Sequence, residues 1–342
     1  MGSACASRDA GTRIAVPPAS TERRGCVVTA GCLAIAAVPA LGAATGSDFP
    51  TRPVRILVPV TSGGNMDGIT RALAQKLTES LGQQVIVDNR PGAGGRVAFE
   101  ILAGAAPDGH TLMTTSLTSI IHPMLYKSRL DILRDFVPVS HISSQGYVLV
   151  VNNAVPAKTP GELVAHLKAN PGKLAYMSTG IGSPNHLTAE VFQAVTGTRM
   201  LHAPYKGSAY ADIVSGLIQV GFPGVPTIMP FLQGGRLRAI AVTTPKRVAP
   251  LPDVPTLIES GMDGAIVVNW YGIVAPRHTP GPLAERLAKH IASAMHSPEV
   301  GKRLRADSTD PVGSSPAQFV GHIRAESERW GRIVKQAEIR GE

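Results

Sequence analysis

Residues 53–67 read PVRILVPVTSGGNMD, followed by Ile69, Leu73, Leu77 and Leu81 at four-residue spacing and then Val85-Ile-Val87. The first run is short, apolar and β-branched, which suits a buried strand, and the spaced aliphatics lie along one face of a helix. Strand, helix, strand implies a parallel pair in an α/β sheet, because the helix carries the chain back to the edge where it began. Between strand and helix lies Thr61-Ser-Gly-Gly-Asn-Met-Asp67. Glycines there turn the backbone tightly and leave amide N–H groups bare at a helix N-terminus, where the helix dipole favours an anion. Ser62, Gly63, Gly64, Asn65 and Asp67 are thus candidate anion-binding residues, with helix capping as the competing role for Asp67.

The same grammar continues outward. A helical stretch at 96–105, a strand at 111–115 and the apolar run 147–151 complete one α/β lobe. After Asn152-Asn153, Thr159-Pro-Gly-Glu162 has the spacing of a capping box and is followed by Leu163 and Leu167. Strand-like 174–178, a helix at 187–195 and strand-like 239–243 follow, and the four prolines of 245–255 make a rigid loop. The last apolar strand spans 265–275. Two amphipathic helices close the chain, Leu283/Leu287/Ile291/Met295 and Phe319/Ile323/Trp330/Ile333. At 342 residues the chain exceeds what one core serves, so two α/β lobes are expected.

The N-terminus breaks the pattern. Arg23-Arg24 precede an apolar stretch, Gly25 to Leu41, which ends in Gly42-Ala43-Ala44 before Ser47 and Asp48. Positive, apolar, small is the order of a secretory signal peptide, so residues 1–44 are expected to be removed on export to the periplasm. Cys5, Cys26 and Cys32 all fall inside this leader, which leaves no disulfide, thiol nucleophile or cysteine-bound metal in the mature chain. Losing the leader's four arginines and two acids lowers the formal charge from +9 to +7. That balance suits an anionic ligand. Nucleic acid is disfavoured, since the cations are scattered and aromatics make up only 4% of residues.

A second strand-to-helix loop, Ser178-Thr-Gly-Ile-Gly-Ser-Pro-Asn-His186, repeats the first. The hydroxyls of Ser178, Thr179 and Ser183 can join the loop amides around Gly182, and His186 falls in the first helical turn. In Pro204-Tyr-Lys-Gly-Ser208 a phenol (Tyr205) and a cation (Lys206) flank Gly207. Asn89-Arg-Pro-Gly-Ala-Gly-Gly95 misses the dinucleotide fingerprint, because the third glycine would fall on Val97, and reads as a helix-entry turn with room to line the cleft. There is no G-x-S-x-G, H-E-x-x-H or G-x-x-x-x-G-K-[ST], so no catalytic residue, metal or cofactor is expected. A base paired with a nucleophile in the cleft would be the mark of an enzyme on this scaffold. The amides of Gly63-Gly64 and Gly180–Gly182 are expected to hold the ligand, with Gly64→Val the damaging change because a β-branched side chain blocks close approach and penalises positive φ.

Taken in order, RPVRILVPVTSGGNMD, GQQVIVDNRPGAGG, APDGHTL, NPGKLAYMSTGIGSPNHL, APYKGSA, GGRLRAIAVTTPKR, LPDVPTLIESG and NWYGIVAPRHTP resemble the solute receptors of tripartite tricarboxylate transporters, the TctC or Bug family. The resemblance implies a type II periplasmic-binding fold with a central ligand cleft and two interlobe crossings. Lobe 1 would then comprise 45–148 plus 268–342 and lobe 2 residues 149–267. It also implies a monomer that captures a small carboxylate for membrane permease subunits, or a subunit that presents ligand to a sensor kinase. Family positions place ligand contacts on Ser62 to Asp67, on Ser178, Thr179, Ser183 and His186, and on Tyr205 to Gly207. Two positions commonly acidic in the family fall here on Gln219 and Pro223, which argues against an amino-acid ligand.

Overall fold

The computed structural model describes residues 49–126, 128, 130–205, 209–336 and 339. The expected leader and its cysteines, together with Lys206 and Gly207, lie outside the described residues. In chain order the elements are Val54–Val58 (β1), Asn65–Leu81 (α1), Val85–Asn89 (β2), Arg96–Ala103 (α2), Thr111–Ser116 (β3), Thr118–Leu125 (α3), Ile132–Asp135 (α4), Phe136–Gly146 (β4), Val148–Asn152 (β5), Pro160–Ala169 (α5) and Ala175–Ser178 (β6). There follow Pro184–Thr196 (α6), Leu201–Pro204 (β7), Tyr210–Ser215 (α7), Val220–Gly221 (β8), Val225–Gln233 (α8), Leu237–Val242 (β9), Val268–Pro276 (β10), Gly281–Met295 (α9), Pro298–Ala306 (α10), Thr309–Pro311 (β11) and Pro316–Gln336 (α11).

Two sheets result. One has the order β11-β4-β10-β3-β1-β2 and the other β7-β6-β8-β5-β9. The local grammar called for parallel pairing, and β1 does run parallel to β2 and β3, as β6 does to β7 and β8. Both sheets are nevertheless mixed: β10 is antiparallel to β3 and β4, and β5 is antiparallel to β8 and β9. The chain leaves the first sheet at Gly146, enters the second at Val148, and returns between Val242 and Val268.

Local chemistry sets the element ends. Helix α1 buries Ile69, Leu73 and Leu77, each worth about 1.5–3 kcal/mol of transfer free energy, and stops where Gly82 (φ 67°) donates its N–H to the Thr78 carbonyl. The Thr159 hydroxyl accepts the Glu162 N–H at the start of α5, and Glu162 Oε2 accepts the Lys158 N–H in return. In the first sheet Trp270 packs edge-on against Phe319 of α11, with ring centroids 5.6 Å apart. Gly272 makes that packing possible, since a Cβ there would sit 2.1 Å from the Phe319 ring. Among the described residues no helix is long and apolar enough to cross a membrane.

Candidate functional site

The first junction, β1 to α1, is shaped by Asp67. Its carboxylate accepts the Gly63 N–H at 3.0 Å, Arg71 Nε–H at 2.9 Å and Asn89 Nδ2–H at 2.9 Å, and the residue is 3% exposed. Burial alone would raise its pKa, but these donors outweigh it and hold the carboxyl below its ordinary value. Asp67 therefore shapes the loop, and the Gly63 amide is spent on it. Gly63 is the glycine in the left-handed region (φ 91°). Gly64, expected to need that freedom, is extended (φ −84°, ψ 171°) with open space at its Cβ position. As N-cap it offers no side-chain partner, which leaves the first-turn amides of α1 open. Ser62 is exposed, and Asn65 Nδ2 donates to Gln145 Oε1 at 3.0 Å.

The second junction, β6 to α6, folds on itself in the same way. The Gly180 N–H donates to Ser178 Oγ at 3.0 Å, the Gly182 N–H to His186 Nδ1 at 3.3 Å, and the Ser183 N–H to the Gly180 carbonyl at 3.2 Å. Asn185 Oδ1 gathers the hydroxyls of Thr179 (3.2 Å) and Ser183 (2.7 Å). His186 is 5% exposed, and burial pushes its pKa down to about 4, so its ring is neutral and free to accept at Nδ1. Both expected glycine amides thus serve the loop's shape; at the N-terminus of α6 the N-cap Ser183 makes no side-chain cap, Pro184 has no N–H and the His186 N–H donates to Asn185 Oδ1 at 3.2 Å, so the Asn185 N–H is the first-turn donor left open. Beneath the loop, Ser178 Oγ lies 2.6 Å from His202 Nε2, and Tyr176 stacks on His202. This is a hydroxyl–imidazole pair, but Ser178 is fully buried and its oxygen already takes the Gly180 amide, so the pair anchors the loop. Tyr205 donates its N–H to the Ser178 carbonyl and its O–H to Asp212 Oδ2 at 2.8 Å, which sets it beside this junction.

Two adjoining cavities bring the junctions together. One, of about 250 Å³, is walled by Pro59, Val60 and Met66 of the first junction with Phe99, Thr115 and Ser116. The other, of about 420 Å³, is walled by Ile181, Gly182, Ser183 and Pro184 of the second junction with His122 and Tyr126. Gly94 and Thr118 belong to both walls. The turn at 92–95 thus both enters a helix and lines the cleft. Gly94 (φ 64°) passes so close to His122 that a Cβ would lie 2.6 Å from its Nε2, bringing bare backbone to the cleft.

Several lining residues were missed from sequence. Thr115, Ser116, Thr118 and Ser119 form a third strand-to-helix junction, β3 to α3, whose signal was the hydroxyl run Thr114-Thr-Ser-Leu-Thr-Ser119 after an apolar strand. Thr115 Oγ1 is buried without a hydrogen-bond partner. His122, tilted against Tyr126 with ring centroids 4.6 Å apart, has its pKa lowered by burial. His202 and Gln145 carry no local signal, because only sheet pairing brings them to the loops. Among the described residues no group of three potential metal ligands exists.

Residues 69–339 match the family model described as the tripartite tricarboxylate transporter family receptor. The chain belongs to this family. Its members are periplasmic solute-binding receptors, and relatives extend the match over nearly the whole fold. Protein BugT of Bordetella pertussis is 34% identical over 297 residues, covering 84% of this chain and 90% of BugT. Among solved structures, R. palustris Rpa4515 with adipate is 34% identical with a TM-score of 0.77, covering 86% of this chain and 99% of that one. MatC of Rhodopseudomonas palustris with bound malate is 27% identical with a TM-score of 0.73, covering 84% of this chain and all of that one. The receptor's two mixed sheets are the periplasmic-binding architecture of these proteins.

Proposed function

We propose that this receptor captures a small carboxylate in the cleft where the two cavities meet and delivers it to the membrane permease subunits of a tripartite tricarboxylate-type transporter. The observation that carries this reading is the pair of strand-to-helix junctions, each ending in a helix N-terminus without a side-chain cap and each walling one of two adjoining cavities. The bare first-turn amides of α1, with the Asn185 N–H of α6, can bind an anion without a formal cation. The adipate and malate in the related structures are carboxylates of fitting size. Residues 1–44 act as the export signal, and the lobes comprise 45–148 plus 268–342 and 149–267, meeting at the strand crossings. Ser62, Gly64, Asn65, Thr179, Ser183 and the loop from Tyr205 through Lys206 and Gly207 border the ligand, while Asp67, Ser178 and His186 hold the loops in shape.

Thermal shift of the purified protein against adipate, malate, succinate, benzoate and nicotinate tests the reading. A ligand at a hundred times its Kd adds about 2.7 kcal/mol of stability, a shift of several degrees. No shift with any carboxylate up to 10 mM (roughly a hundred times a Kd of 0.1 mM) would overturn it.

A further inference from the structure

The strands that cross between the sheets have two flanks. In the order β11-β4-β10-β3-β1-β2, the cleft junctions leave from β1 and β3, and the crossing strands are β4, which ends at Gly146, and β10, which begins at Val268 paired with Gly146. Beyond β4 lies β11, where Asp310 pairs with Ser144. On this far flank opens a cavity of about 580 Å³, within the range of roughly 300–1,000 Å³ typical of small-molecule sites. Its walls share no described residue with the two cavities of the cleft.

Three cations line it, Lys246 and Arg247 from the loop after β9 and Arg305 from the end of α10, and all three are exposed. Arg247 is engaged: its Nε donates to both Glu259 oxygens, at 3.1 and 3.0 Å, and its Nη1 to the Pro252 carbonyl at 3.1 Å. Among the described residues Lys246 and Arg305 have no carboxylate partner, and Asp310, the acid in the same wall, pairs with neither. The loop that carries Lys246 is stiff, since Pro245, Pro250, Pro252 and Pro255 fix φ at four positions and Thr244 Oγ1 donates to the Lys246 carbonyl at 2.6 Å. Arg305 folds back over Gly301, where a Cβ would lie 3.1 Å from its Nη1. The hydroxyls are not available to an occupant: Ser144 Oγ is engaged with His141 Nε2 at 3.0 Å, and Ser308 Oγ is buried.

Cations gathered on the walls of a cavity focus a positive potential inside it. Two of them lack a partner and come from separate segments, so a dianion whose oxygens turn to several sides can meet both, as a tetrahedral phosphoryl does and a flat carboxylate does not. Val248, Val268 and Val312 supply apolar wall for an organic remainder. We propose that this cavity is a second binding site, one that takes the phosphoryl group of a small phosphate monoester. It stands independently of the receptor reading above.

The test is calorimetry with phenyl phosphate and with succinate at pH 7, where a monoester with a second pKa of about 6 is mostly dianionic. Wild type is expected to bind phenyl phosphate with a Kd below about 1 mM. Lys246→Ala/Arg305→Ala should weaken it at least about tenfold, two charge-assisted contacts reduced by screening. Lys302→Ala/Arg303→Ala removes as much charge from exposed positions of α10 outside the wall, and should change it less than about twofold. Asp310→Asn, which lifts the opposing charge, should tighten it about 2- to 5-fold. Should the first double variant melt early, Ala249→Glu adds a carboxylate at an exposed position of the same wall and should weaken phenyl phosphate as much. Failure of phenyl phosphate to bind at about 10 mM overturns the proposal. Equal weakening in both double variants does so too, because the attraction is then general to the basic surface, as does an Asp310→Asn that binds no tighter. If the cavity variants weaken succinate and spare phenyl phosphate, the phosphoryl assignment falls.

Discussion

Replacing Asp67 by alanine removes the group on which the first loop is built. Three donors lose their acceptor: the Gly63 amide, Arg71 Nε and Asn89 Nδ2. A hydrogen bond to a charged group is worth about 1.5–3 kcal/mol, and all three bonds are partly buried. The Arg71 side chain is 49% exposed, so solvent screening leaves its arm little weight. Water reaches part of the loop once it loosens, which puts the expected loss at about 2–4 kcal/mol, below the sum of the parts. Urea unfolding followed by circular dichroism measures it at pH 7. Asp67→Asn, which keeps one acceptor oxygen, should lose about half as much. The carboxyl has a folded pKa below its unfolded value, so its contribution is complete above the ordinary carboxylate range and fades as pH falls through the depressed folded pKa. The gap between wild type and Asp67→Ala should therefore narrow as the pH falls below 4. A loss under about 1 kcal/mol, or a gap that does not change with acid, would show that the carboxylate does not hold the loop.

Two further outcomes follow from the same geometry. Gly63→Ala forces a Cβ onto a left-handed residue and should destabilise by about 1–2 kcal/mol, whereas Gly64→Ala, extended and facing open space, should change stability by less than about 0.5 kcal/mol; equal effects in urea melts would refute the assignment. His141 and His186 both have pKa values pushed down to about 4, chiefly by burial, so between about pH 6.5 and 4 the unfolded chain binds protons that the folded one refuses. Stability should fall with acid over that window by up to about 1.4 kcal/mol per pH unit for each histidine, and by visibly less in His186→Gln; a flat profile from pH 6.5 to 4.5 would contradict the neutral, accepting ring assigned to His186.

Helix α1 was legible because Ile69, Leu73 and Leu77 keep a helical period and all face the core, and both anion-ready junctions were legible because strand, glycine pair and helix follow one another within a few residues. Strand β4 was not legible. Its inward residues include Ser140, His141, Ser143 and Gln145, polar groups whose burial comes from β10, β11 and α11 closing over them, so no apolar alternation marks the strand. The antiparallel place of β10 was equally hidden, since periodicity says that a segment is extended but not which neighbour it meets. Sequence by itself thus determined the two-lobe α/β class, the family and the two glycine-bearing strand-to-helix loops, all properties of residues close together in the chain. Tertiary structure decided how those loops are used: Asp67 and His186 turned out to brace their own loops, Gly63 and not Gly64 took the strained backbone, and Gln145 came to accept from Asn65. Each of these depends on which partner reaches a hydrogen-bonding group first, and that is set by packing between segments distant in sequence.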